Sequence, residues 1–101
     1  MRSAQEDAKL HTRTVIGLAN PTPTVEYGDA TIKKQGPGVF NLQFPTLRTL
    51  VSAMVGNNSG APWIATCALQ ADNSLTVWCW NQSGSQVDPT KFSFIVTGYP
   101  K

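Results

Sequence analysis

From Leu10 onward, apolar residues recur at every second position in short runs, and each run is cut off by Gly, Pro, Asn or Asp. Side chains of a strand alternate between its two faces, so this period predicts strands. The first is His11 to Leu18 (HTRTVIGL). The segment Ala19-Asn20-Pro21-Thr22-Pro23-Thr24 should be a loop, because its prolines cannot donate to a ladder. Asp29 to Gln35 reads as a weaker strand, closed by Gly36-Pro37-Gly38. Val39 to Phe44 (VFNLQF) puts Phe40, Leu42 and Phe44 on one face, and the two should form a hairpin.

Leu50 to Val55 (LVSAMV) is apolar on both faces and reads as a central, deeply set strand. Trp63 to Leu69 (WIATCAL) and Leu75 to Trp80 (LTVWCW) are expected to form a second hairpin, turning at Asp72-Asn73-Ser74. On its second arm Leu75, Val77 and Cys79 share one face and Thr76, Trp78 and Trp80 the other. The last strand is Lys91 to Thr97 (KFSFIVT), with Phe92, Phe94 and Val96 inward. The fold class is therefore all-β: an antiparallel β-sandwich, jelly-roll-like or Ig-like, of about seven to eight short strands. Residues 10–101 form that domain. Residues 1–9, polar and without an apolar face, are expected to be a flexible or connecting segment.

Composition narrows the function classes. Charged residues make up 14% of the chain against roughly 25% in an average domain, so Thr, Ser, Asn and Gln must cover its surface. The net charge is +2 and the basic residues are scattered, which argues against a nucleic-acid partner, because phosphate recognition concentrates positive charge on one face. The opening MRSAQEDAKLHTR lacks the apolar stretch of a secretory signal, and no run is long enough to insert in a membrane.

Cys67 and Cys79 should lie on neighbouring strands. If the hairpin turns at Asp72-Asn73-Ser74, they face one another and could form a disulfide, although two buried free thiols are the preferred reading.

Little in the chain suggests catalysis. His11 is the single histidine and stands near the flexible end, and no nucleophile elbow or paired base accompanies it. The six acids lie mostly in turns and at strand ends, and neither a carboxylate pair nor calcium-loop spacing emerges. The expectation is a non-enzyme with no catalytic residue, no metal and no cofactor.

Binding is a better prospect. The three tryptophans, Trp63, Trp78 and Trp80, fall on adjacent predicted strands. Ordinary core packing is the first reading for them, an oligomer interface the second, and stacking on a ligand such as a sugar ring the third. The polar loops 57–62 and 81–89 add Asn57, Asn58, Asn81 and Gln82 as candidate ligand or interface residues.

The run Gly36-Pro37-Gly38-Val39-Phe40-Asn41-Leu42-Gln43-Phe44-Pro45 is followed by an apolar strand, a small polar loop and a closing Phe92-x-Phe94-x-Val96-x-Gly98. Over roughly residues 30 to 98 this resembles the small β-sandwich modules at the tips of bacteriophage tail fibres and related virion appendages. The resemblance implies a homotrimer located in the virion, acting in receptor attachment or capsid decoration. Its partners would be other virion proteins or a host-surface glycan. The alternative expectation is a stand-alone carbohydrate-binding module or lectin.

Overall fold

The computed structural model describes residues 11–101, which form eight antiparallel strands. These are β1 (Arg13–Asn20), β2 (Thr24–Tyr27), β3 (Thr31–Gly36), β4 (Val39–Gln43), β5 (Leu47–Asn57), β6 (Ile64–Leu69), β7 (Leu75–Trp80) and β8 (Phe92–Pro100). They make two four-stranded sheets, in the orders β2-β1-β8-β5 and β3-β4-β7-β6. The expected antiparallel β-sandwich is what the chain forms. The expectation for residues 1–9 lies outside the described residues.

The core follows the period-two pattern. Phe40, Leu42 and Phe44 from one sheet meet Phe92, Phe94 and Val96 from the other, all buried. Two ring pairs bridge the sheets, Phe40 with Phe92 at 5.2 Å and Phe44 with Phe94 at 5.7 Å, the latter edge to face. Fully burying such a side chain is worth roughly 1.5–3 kcal/mol, so the four rings account for much of what holds the layers together.

Three expectations need correction. The first strand begins at Arg13, leaving exposed His11 outside it, and runs on through Asn20. The supposed loop is a tight hairpin: Asn20 Oδ1 accepts the amides of Thr22 and Thr24, at 3.0 and 3.1 Å, and the chain returns as β2. The prolines occupy the turn, where no ladder donor is needed.

The second correction concerns β5, which is an edge strand and not a central one. Its apolar residues split between inward Ala53 and Val55, which pack on the core, and outward Met54, 71% exposed. Val51 lies at a register shift between Leu50 and Ser52 and is also exposed.

The third is the placement of the cysteines opposite one another, not their preferred reading as free thiols. The β6–β7 register sets Cys67 opposite Val77 and Cys79 opposite Ala65, so the two share a face but are offset by two residues. Both thiols are free. Burial pushes both up from the ordinary thiol range, and for Cys79 the nearby Asp88 charge adds to the shift.

Candidate functional site

The outward face of the β3-β4-β7-β6 sheet carries the aromatic residues. Because Leu75, Val77 and Cys79 are buried in the core, alternation turns Thr76, Trp78 and Trp80 outward. Trp78 stands between Val39 on β4 and Thr66 on β6, and Trp80 opposite Ile64, whose side chain is 63% exposed. Both indoles are half-buried by these neighbours. Trp80 Nε1 reaches Thr66 Oγ1 at 3.4 Å. Trp63 sits apart, in the loop before β6.

Beside Trp78 the face hollows into a groove of about 540 Å3. Trp78 and Val39 supply its apolar wall, and Gln35, Asn41, Gln70, Asp72 and Thr76 its polar lining. Two of these polar groups, Asn41 and Asp72, are held in place before any ligand arrives. Asn41 Nδ2 donates to Ser74 Oγ at 2.8 Å, and Ser74 in turn donates through its hydroxyl and amide to Asp72 Oδ1. Ser74 is itself buried, so the relay fixes Asn41 from behind and leaves its carbonyl oxygen as an acceptor.

The hairpin tip that closes the groove is equally constrained. Asn73 adopts φ 65°, a conformation Asn tolerates, and its amide hydrogen bonds to the Gln70 carbonyl at 3.0 Å. Its side chain accepts from the Leu50 amide at 2.8 Å and donates to the Arg48 carbonyl at 2.9 Å, which fastens the tip to β5 of the other sheet.

The loop residues singled out from sequence line neither wall of this groove. Asn57 spends its side chain on Ala61, Trp63 and Ser59, and Asn81 spends its own on the amides of Ser83 and Ser85. These are turn-building bonds. Asn58 and Gln82 are exposed in the same loops. Asp88, in the second loop, bonds Lys34 and the Gly38 amide. Partial burial pushes its carboxyl up, but these two donors outweigh it and hold the group below its ordinary value. Glu26 is lowered by its hydrogen bonds from Asn20 and Lys91.

Among the described residues no three His, Cys, Asp or Glu side chains gather as metal ligands. Chemically the groove offers one aromatic wall, amide donors and acceptors, a hydroxyl and a carboxylate. Comparison with protein-family models, with curated proteins and with solved structures found no match.

Proposed function

We propose that this chain is a non-enzymatic adhesive module that binds glycan through the Trp78 groove. The observation that carries the reading is the pairing of a half-buried indole with the preset Asn41 amide and the Asp72 carboxylate on one open sheet face. A pyranose ring presents an apolar C–H face and a rim of hydroxyls, and such a groove satisfies both at once. Replacing Trp78 with alanine removes the stacking wall while leaving the core intact. In a binding screen against immobilised oligosaccharides, W78A should lose at least about 30-fold in affinity, the scale of a hot-spot aromatic. Unchanged binding by a folded W78A would rule the groove out.

The opposite sheet favours assembly with further copies of the chain. Across its outward face Ile16 on β1, Ile95 on β8 and Met54 on β5 lie in one cross-strand row, and they are 57%, 45% and 71% exposed. The residues flanking the row are Thr14, Thr97 and Ser52 on one side and Leu18, Ser93 and Gly56 on the other, so this part of the face carries no charge. Such a surface is compatible with its own copy, where neither protomer meets an unpaired charge. A virion appendage would use both faces, whereas a stand-alone sugar-binding module would need only one, so the uncharged face favours the appendage, with a homotrimer as the expected state. Light scattering should give a multiple of the 10.9 kDa chain mass, and Met54→Glu should reduce it to the monomer. A wild-type monomer would remove assembly from the account and leave the sugar groove standing.

A further inference from the structure

We infer that the glycan is acidic, and that the Trp78 groove continues past Asp72 into a second subsite for an anionic group on the same saccharide chain. The inference rests on the glycan reading of the first groove. Asp72 lines two clefts: the one beside Trp78, and a second of about 490 Å3 on the far side of the hairpin tip. The second cleft is lined by Thr31, Gln43, Arg48, Asn73 and Lys101 as well as Asp72. Its character differs from that of the first. The Trp78 groove contains no cation, while this cleft contains two, and neither Arg48 nor Lys101 takes part in an ion pair among the described residues.

The Asp72 carboxylate offsets one of these two side-chain charges and leaves the other in excess. Its Oδ1 already accepts two hydrogen bonds from Ser74, which holds it against the hairpin between the clefts. There it can accept from sugar hydroxyls on either side. Arg48 is set in position by its own backbone: its carbonyl receives Asn73 Nδ2, and the same asparagine holds Leu50. A guanidinium on a fixed strand, with an amide and a hydroxyl beside it from Gln43 and Thr31, suits a carboxylate, sulfate or phosphate oxygen. A saccharide spanning both clefts would stack a neutral ring on Trp78 and place the anionic substituent beyond Asp72.

The test is calorimetric titration of neutral oligosaccharides and their carboxylated, sulfated and phosphorylated counterparts, at low and high salt. The acidic set should bind about tenfold more tightly at low salt, the scale of one charge-assisted contact, and lose that margin as salt screens it. The double variant Arg48→Gln/Lys101→Gln should bind both sets as wild type binds the neutral one. Both side chains are exposed and make no side-chain hydrogen bond among the described residues, so this variant should keep the fold. Which acidic counterpart binds best identifies the anionic group. Equal affinity for neutral and acidic sugars, or a double variant that keeps the preference, would overturn the second subsite while leaving the first. Failure of every sugar to bind would overturn both.

Discussion

Replacing Gly17 with alanine should cost about 3 kcal/mol or more, at the upper end of core overpacking and a large part of the 5–15 kcal/mol that holds a typical domain. Gly17 faces the core from β1, and the Phe94 ring of β8 fills the space that a side chain there would need. A methyl group there would meet Phe94 Cζ at 2.0 Å, Phe94 Cε2 at 2.4 Å and the Tyr27 carbonyl oxygen at 2.6 Å. Phe94 cannot swing away, because it is fully buried and its ring is edge-on to Phe44. The check is chemical denaturation of G17A, F94L and the double variant. The smaller leucine should partly rescue the alanine, with a coupling energy of about 1 kcal/mol, as expected for residues in contact. Strictly additive losses would mean that Phe94 is not what excludes the methyl.

Gly38→Ala should be comparably damaging by a different route. This glycine is buried in the β3–β4 turn with φ +67°, a left-handed conformation that costs other residues about 1–3 kcal/mol. An added methyl would also meet backbone atoms alone: Val87 O at 2.5 Å, Val87 N at 2.7 Å and Cys79 O at 2.8 Å. These cannot retreat without breaking the bonds from the Cys79 amide to the Gly38 carbonyl at 2.8 Å and from the Val87 amide to the Cys79 carbonyl at 3.0 Å. A loss of about 2–4 kcal/mol lowers the melting temperature by about 10–20 °C in a domain of this size. A melting temperature within 3 °C of wild type, roughly half a kcal/mol, would show that the long β7–β8 loop does not press on this turn. Asp88 reinforces the same contact through its bond to the Gly38 amide.

How far the sequence foretold this differs from element to element. Phe40, Leu42 and Phe44, and later Phe92, Phe94 and Val96, were legible because strand alternation places large apolar residues on one face whatever their partners turn out to be. β2 was not, because it is four residues long, has Val25 as its half-buried apolar residue, and follows a turn built by Asn20 where the prolines alone suggested a loop. The central placing of Leu50 to Val55 failed for a related reason. A run apolar on both faces looks the same whether its outer side chains meet a second layer or stand free, and on β5 Met54 stands free.

The candidate site was half visible. That Trp78 and Trp80 oppose the core side of β7 followed from the period. That Asn41, Gln70, Asp72 and Gln35 would surround Trp78 depended on the pairing of β4 with β7, which no local pattern encodes. Loop composition pointed elsewhere, to asparagines whose hydrogen-bonding groups are consumed in shaping their own turns. An amide is useful to a ligand where the fold leaves part of it unspent, as it does with the carbonyl of Asn41.

The most direct test of the sugar-binding account is an NMR titration of the 15N-labelled domain with the best-binding oligosaccharide from the screen. The account predicts that the Trp78 indole signal and the side-chain amides of Asn41, Gln70 and Gln35 move together, while the Trp63 indole and the Asn57 and Asn81 amides stay in place. Shifts confined to the loops 57–62 and 81–89, with the Trp78 signal unmoved, would contradict it.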